Sequence, residues 1–172
     1  MKIYHFVLAF TIIAIGVIVI TDMTLAEKSL YDRNDRKMDK CLAEAVNAAA
    51  WELRASGTIF DSYTESRVID SLYNSFYASL GIMDDPTKPQ SLGKYIPQII
   101  VTLKEGYFIY RYEPKENSNE PYECYIREGI LLTGHEPNEI SVAAFITEYP
   151  LEGYSYSGYK ISVSGVANIK FD

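Results

Sequence analysis

The chain has 172 residues, 48% of them hydrophobic, and a formal net charge of −7. This length suits one globular domain of ordinary size plus an appendage. With a negative net charge, the chain offers no broad positively charged surface to attract phosphate groups, so we expect no nucleic-acid partner.

The first part of the chain is strongly apolar. Residues 3–21 read IYHFVLAFTIIAIGVIVIT and contain no Asp, Glu, Lys or Arg. About 20 such residues cross the hydrocarbon core of a bilayer, which predicts a transmembrane helix. A cleaved signal peptide is the alternative, because Thr24-Leu25-Ala26 loosely fits a small-x-Ala cleavage site. The apolar run is longer than the ~7 to 15 residues of a signal core, which favours an uncleaved anchor.

The charges that flank this segment leave its orientation open. Lys2 precedes it, whereas five basic residues follow it, so a count of Lys and Arg alone favours a cytoplasmic domain. These residues are Lys28, Arg33, Arg36, Lys37 and Lys40. However, Asp22 and Glu27 lie closer to the apolar segment than these basic residues do. In addition, long folded tails can cross the membrane despite their charges. We therefore expect a single-pass protein whose C-terminal domain lies outside the cytoplasm.

A second helical pattern occupies residues 38–53. Its apolar residues recur three or four apart, the period of an amphipathic helix. They are Met38, Cys41, Leu42, Ala45, Val46, Ala49, Ala50 and Leu53. Ala43, Ala48 and Trp51 add apolar surface outside this stripe, and small side chains let a neighbouring backbone come close. The pattern predicts a helix that is covered on more than one side.

We predict that this helix packs with neighbouring helices through seven residues. They are Leu42, Ala45, Val46, Ala48, Ala49, Trp51 and Leu53. Residues 22–37 contain no Pro or Gly, so the membrane helix is expected to continue without a break until Gly57 stops it. Its charged middle, residues 32–40, is predicted to be a solvated helix face.

A second, shorter helix is predicted between Thr64 as its cap and Gly81 as its end. Its apolar face consists of Val68, Ile69, Leu72, Tyr73, Phe76 and Leu80. Tyr63 and Tyr77 fall away from this face. We expect the face to pack on the alanine-rich helix.

The rest of the chain predicts a mostly antiparallel sheet. Residues 95–103 and 106–112 are rich in β-branched and aromatic residues and indicate a hairpin. Further strands are predicted at 122–132 with an interruption at Gly129, at 140–148, and at 159–171 with a bulge at Gly165. The fold class is α+β, divided into an anchor (1–21), a juxtamembrane long helix (22–56) and an α+β domain (57–172) packed on the end of that helix.

The residue types give no catalytic or metal-binding pattern. Cys41 and Cys124 are interpreted as buried free thiols, although the sequence does not decide whether they pair. His135 has Glu136 and Glu139 as neighbours, but a solvated loop histidine is the simpler interpretation. Residues 153–159 lack the last glycine of a G-x-S-x-G motif, and Asp84-Asp85 before Pro86 indicates a turn. We predict no enzyme, no cofactor and no metal.

The order of these features resembles type IV pilin-like proteins. The stretch DRKMDKCLAEAVNAAAWEL, residues 35–53, is similar to the juxtamembrane helix of TadE-like pilus-assembly subunits. The resemblance covers about the first third of the chain as sequence and the rest as architecture. It implies a structural or assembly subunit of a surface filament or secretion system, held in the bacterial cytoplasmic membrane and packed against other subunits or copies of itself. Pilins carry a glutamate near the start of this segment and residues 3–21 carry none, which favours an assembly component over a bulk filament subunit.

Two other functions fit the same features. The 15 tyrosines suit an anchored ligand-binding or adhesin domain, since tyrosine gives a large contact area at low entropic cost. A membrane protein of a phage or conjugative element would have the same anchor.

Overall fold

The computed structural model describes residues 2–56, 61–83, 96, 98–103, 106–112, 125–131, 139–150 and 160–170. In this part of the chain, two helices precede five strands. They are α1 (Lys2–Ala55), α2 (Ser62–Leu80), β1 (Gln98–Leu103), β2 (Gly106–Tyr112), β3 (Tyr125–Leu131), β4 (Glu139–Pro150) and β5 (Lys160–Lys170). All neighbouring strands are antiparallel, in the order β3-β2-β1-β4-β5. The predicted α+β class is confirmed.

Helix α1 runs unbroken for 54 residues, or about 80 Å. This continuity was expected, because residues 22–55 contain neither Pro nor Gly. The helix ends at Ala55, and the predicted stop at Gly57 lies outside the described residues.

The C-terminal third of α1 belongs to the hydrophobic core. All eight residues of the predicted apolar stripe are buried, from Met38 to Leu53. Helix α2 and strands β4 and β5 all contact α1. Ala43 and Trp51, on which the predicted second covered side rested, are exposed, so that prediction was wrong for them. The charged middle is less solvated than expected, because Asn34 and Asp35 are half-buried. The Tyr31 hydroxyl also approaches the Lys160 carbonyl oxygen at 3.5 Å, which extends the contact with β5 towards the apolar segment.

Helix α2 differs from its prediction at its start. Asp61, not Thr64, is the N-cap, and its side chain accepts a hydrogen bond from the Thr64 backbone N–H at 2.8 Å. The helix therefore begins at Ser62, and Thr64 is buried within its first turn. Gly81 ends the helix at φ 74°, a left-handed conformation that glycine adopts without steric cost.

The apolar face of α2 is wider than predicted. Tyr77 is buried, with its ring centroid 5.6 Å from that of Tyr73 and 6.1 Å from that of Phe76. The prediction that Tyr77 lies away from the packed face was therefore wrong, because the buried face of α2 extends to include it. Tyr63 is exposed, as predicted.

The sheet presents alternate residues to the helices. Ile99 and Val101 of β1 are fully buried, and Ile99 pairs with Tyr110 of β2 and Ala144 of β4, which are also buried. Residues on one face of an antiparallel sheet stand opposite one another, so these side chains form one buried layer. The predicted β1–β2 hairpin and the strand at 140–148 are confirmed.

The sheet lacks two irregularities at the positions where the sequence predicted them, a bulge at Gly165 and an interruption at Gly129. Gly165 pairs with Ala144 and Gly129 pairs with Phe108, each within continuous register. The register shift lies instead in β4, between Ile146 and Tyr149, where Glu148 has a φ of 54°. The predicted bulge at Gly165 and the interruption at Gly129 were therefore wrong.

Candidate interaction surface

The seven residues predicted to pack with neighbouring helices divide into two groups. Five of them are at most 1% exposed and belong to the core of their own chain: Leu42, Ala45, Val46, Ala49 and Leu53. Ala48 is half-buried, and Trp51 is 55% exposed. Of these seven residues, Ala48 and Trp51 are the ones that offer surface to another molecule.

The side of α1 opposite the core forms an exposed strip, which we call the outer face. Its residues recur three or four apart: Lys40, Ala43, Glu44, Asn47, Trp51 and Arg54. This spacing places them on one side of a helix.

Trp51 is the most distinctive residue of the outer face, because it is the single tryptophan of the chain. The guanidinium carbon of Arg54 lies 5.2 Å from the centroid of its indole ring, within range of a cation–π interaction. Trp and Arg are enriched where proteins bind one another, especially at positions that dominate the binding energy. An exposed Trp–Arg pair therefore marks this end of α1 as a candidate contact.

Helix α2 has a similar pair beside this end of α1. Arg67 lies over the Tyr63 ring, with 5.8 Å between its guanidinium carbon and the ring centroid. The same guanidinium forms an ion pair with Glu52 of α1. The two helices are thus joined at the surface near Trp51 as well as through the core.

A groove of about 470 Å³ lies between the outer face and the edge of the described sheet. It is lined by Lys40, Ala43, Glu44 and Asn47 of α1 and by Val166, Ala167 and Asn168 of β5. Val166 is 59% exposed. Glu44 accepts a hydrogen bond from the Ser79 hydroxyl at 2.8 Å and lies 3.8 Å from the Lys40 ammonium. The lining of the groove thus combines small apolar residues with polar and charged ones.

The N-terminal half of α1 offers a different surface. An 18-residue stretch reaches a mean hydropathy of 2.6 and is not buried anywhere in the structure. Among the described residues, α1 is the one helix long and apolar enough to cross a membrane. The hydroxyls of Thr11 and Thr21 donate to the carbonyl oxygens four residues earlier, at 2.9 and 2.8 Å. These bonds satisfy the hydroxyls inside the helix, as a hydrocarbon environment requires.

The described part of the chain contains no cluster of three or more His, Cys, Asp and Glu side chains able to hold a metal ion. Cys41 is free and buried, and burial raises the pKa of its thiol, which makes it a weak nucleophile at neutral pH. The predictions for Cys124, His135, Asp84-Asp85 and residues 153–159 lie outside the described residues.

No family model, curated protein or solved structure matches the chain. The resemblance to pilin-like and TadE-like proteins therefore stays a prediction, and function has to be inferred from the surfaces described above.

The sequence did not predict the groove, although Ala43, which lines it, was noted as apolar surface outside the stripe. The groove exists because β5 lies beside α1, a relationship between residues more than a hundred positions apart. One residue could have indicated the groove from the sequence. Ala43 lies outside the apolar stripe, at a position where a larger polar residue is usual on a solvated helix face.

Proposed function

We propose that the chain is a structural or assembly subunit of a surface filament or secretion system, anchored in the bacterial cytoplasmic membrane by residues 3–21. One observation carries the proposal: a single unbroken helix has an exposed apolar segment (residues 3–21) and, further along, contributes to the core of an α+β domain. An apolar surface of this length is stable in a bilayer and is costly to leave in water.

The domain is proposed to lie outside the cytoplasm and to contact other subunits or copies of the same chain. The outer face supports this part of the proposal, because it holds an exposed Trp–Arg pair and a groove with small apolar residues. Trp51, Ala43 and Asn47 lie on the side of α1 opposite the core.

Membrane anchoring is tested by expressing the full chain in bacteria and washing the membranes at alkaline pH, which removes peripheral proteins. We expect the native chain to stay with the lipid. In Ile12→Arg, a charge at mid-span costs about 2.5–3.5 kcal/mol on insertion scales, so membrane retention should fall strongly. Ser29→Arg, which adds the same charge beyond the apolar segment, should behave as the native chain does. Release of the native chain by the wash would contradict the anchor.

The orientation and the assembly are tested separately. Protease added to spheroplasts should digest the domain if it lies outside the cytoplasm and should spare it otherwise. The intact mass of the chain in membranes and in sheared surface material then distinguishes two kinds of subunit. Full-length chain confined to membranes supports an assembly component, whereas trimmed chain in sheared polymer identifies a processed pilin. A chain that stays monomeric at every density in the membrane would favour the anchored binding domain instead.

A further inference from the structure

We infer that two copies of the chain pair through the face of the sheet that points away from α1 and α2, which we call the far face. This inference rests on the proposed function and names one surface through which copies would assemble. In the pair, each far face covers the other, and the long helices lie on the outside.

The far face is apolar at its centre. One row across it joins four adjacent strands, β2, β1, β4 and β5, through Ile109, Ile100, Ala143 and Val166. The first three are half-buried and Val166 is 59% exposed, whereas Ile99 and Val101 on the helix side are fully buried. In strand register, the row ends at Glu128 of β3, so the charged residue lies at the edge of the sheet.

The strands have the composition of strands that are covered on both faces. Residues 99–101 read IIV, residues 107–110 YFIY and residues 142–146 VAAFI. A strand with one solvated face alternates apolar and polar residues, whereas a strand covered on both faces is apolar almost continuously. Both helices join the core on one face, and the described chain has no further helix or strand to cover the other. A contiguous apolar patch of this kind marks a site of protein association.

The sheet stands upright on the proposed membrane, because α1 runs along β5. At the end nearer the apolar segment, the Tyr31 hydroxyl lies 3.5 Å from the Lys160 carbonyl oxygen, and further along Val46 packs on Gly165. Between these two contacts, α1 advances by about 22 Å and β5 by about 17 Å in the same direction. The plane of the sheet therefore contains the direction of the anchor.

Two anchors in one bilayer bring the far faces together at the same height. Both α1 helices then run in the same direction, so a two-fold axis along the membrane normal turns one far face towards the other. Each row of residues meets the same row of the second copy, and the apolar centre meets itself. Packed sheets cross at about 30°, so each anchor leans by about 15°, which is within the usual tilt of roughly 20° for transmembrane helices.

The charges of the far face are compatible with this pairing. Since β1 is the middle strand, an axis over β1 places β2 of one copy opposite β4 of the other. Arg111 of β2 and Phe145 of β4 flank Gln98 in one row, so the guanidinium meets an aromatic ring of the second copy and not a second guanidinium. Glu128 and Val166, on the outer strands, lie at the rim, where polar groups stay solvated.

The far face is large enough for a specific contact. Five strands about 4.8 Å apart, with about six residues each, give roughly 500 Å² per copy and about 1,000 Å² over both. Specific interfaces begin at about this size. Because both copies are held in one membrane, their effective concentration is high, and a contact of modest area suffices.

Energy transfer between copies provides the first test. The full chain is placed in phospholipid vesicles at increasing protein-to-lipid ratios, with donor and acceptor dyes at the C termini of mixed copies. Ile100→Lys puts a charge at the centre of the far face and should reduce the energy transfer several-fold. Trp51→Lys replaces an exposed apolar residue of the outer face and should leave it unchanged. Circular dichroism establishes that both variants are folded.

Cross-linking provides a second test that needs no charged variant. In the pair, residue 100 of one copy lies opposite residue 100 of the other, so a short bis-maleimide should join two chains that carry Ile100→Cys. Ser66→Cys, at an exposed serine of α2 on the outside of the pair, is the matched control. We expect cross-links at residue 100, identified from the mass of the joined peptides, to exceed those at residue 66 several-fold and to increase with energy transfer.

Each other outcome overturns the inference in a recognisable way. Energy transfer that survives Ile100→Lys in a folded chain, or cross-linking at residue 100 no greater than at residue 66, means that copies assemble through another surface; the proposed function then stands and the far-face contact is wrong. If Ile100→Lys does not fold, the cross-links decide. Absence of energy transfer at every density removes the proposed assembly as well.

Discussion

Gly165 of β5 lies directly against Val46 of α1. A Cβ atom built on Gly165 would be only 2.6 Å from Val46 Cγ2, and 3.2 Å from the backbone oxygen of Leu42. Both distances are shorter than ordinary carbon contacts, and the second obstacle is backbone, which cannot rotate away. The missing side chain therefore sets how closely the sheet packs against the long helix.

Gly165→Ala is expected to destabilise the domain by about 1–3 kcal/mol through overpacking. Chemical unfolding of the full chain in detergent, followed by circular dichroism, measures the effect. In the double variant Gly165→Ala/Val46→Ala, the loss of unfolding free energy should differ from the sum of the two single losses. The expected difference, the coupling energy, is about 0.5–3 kcal/mol.

Gly129→Ala is the control for this prediction. Its Cβ atom would meet the Phe108 ring, with the nearest ring atom at 2.8 Å, and an aromatic ring can move where a backbone cannot. We expect its cost to be smaller than that of Gly165→Ala. Equal losses at both glycines would show that close packing on α1 is not what Gly165 provides.

The alanines of α1 are expected to differ sharply in their tolerance of larger side chains. Ala49 is fully buried, so Ala49→Leu should cost about 1–3 kcal/mol of unfolding free energy. Ala43 is exposed, and Ala43→Leu should stay within about 0.5 kcal/mol of the native chain. The same unfolding measurement compares the two, and a destabilised Ala43→Leu would place that residue in the core.

Asp61 should make the stability of α2 depend on pH. Its carboxylate accepts the Thr64 backbone N–H, which lowers the pKa of Asp61 below its ordinary 3.8. Because the folded-state pKa is the lower one, the stabilisation is present above pH 3.8 and is lost as the pH falls through the folded-state value.

Thermal unfolding between about pH 6 and pH 2 tests this dependence. Asp61→Asn keeps a capping acceptor that does not titrate, so the pH dependence due to this residue should disappear. Asp61→Ala should lower the unfolding temperature already at neutral pH. A native profile identical to that of Asp61→Asn would mean that titration of Asp61 does not affect stability.

Cys41 should react slowly with thiol reagents while the chain is folded. Burial raises the pKa of its thiol above the ordinary 9.0, against the opposing effect of Lys37 and Lys40, so the reactive thiolate is scarce at neutral pH. Labelling should increase with pH and on unfolding, as measured from the mass of the peptide that contains residue 41. The neutral thiol stabilises the fold below pH 9.0, and this contribution is lost as the pH rises through the folded-state pKa.

A cysteine placed at Ala43 gives the comparison for this labelling. It lies two residues away on the exposed side of the same helix and should react rapidly. Equal labelling rates at positions 41 and 43 in the folded chain would contradict the burial of Cys41.

The features that the sequence predicted well are those with a local cause. The period of three and four in residues 38–53 identified every buried residue of that stripe, because helix geometry alone puts those positions on one side. The hairpin of β1 and β2 was likewise visible, since its strands are separated by only two residues. Gly81 was correctly identified as the helix end, because glycine suits a left-handed residue.

The errors arose where a distant segment decides the outcome. Gly165 was assigned to a bulge because the sequence does not show that Leu42 and Val46 lie against it. Tyr77 is an exception, because the rings beside it, Tyr73 and Phe76, lie on the same helix. The groove was missed because strand order, which brings Val166 beside Ala43, has no signature in either segment alone.

The continuity of α1 also has a mechanical consequence. The apolar segment and residues 38–53 of the core are parts of one helix, and between them lies neither the proline nor the glycine that ordinarily produces a sharp kink. A rotation or axial displacement of residues 3–21 is therefore passed to the sheet through one continuous helix. Torque or axial force applied to the membrane segment is therefore transmitted to the domain, because no hinge lies between them to absorb it.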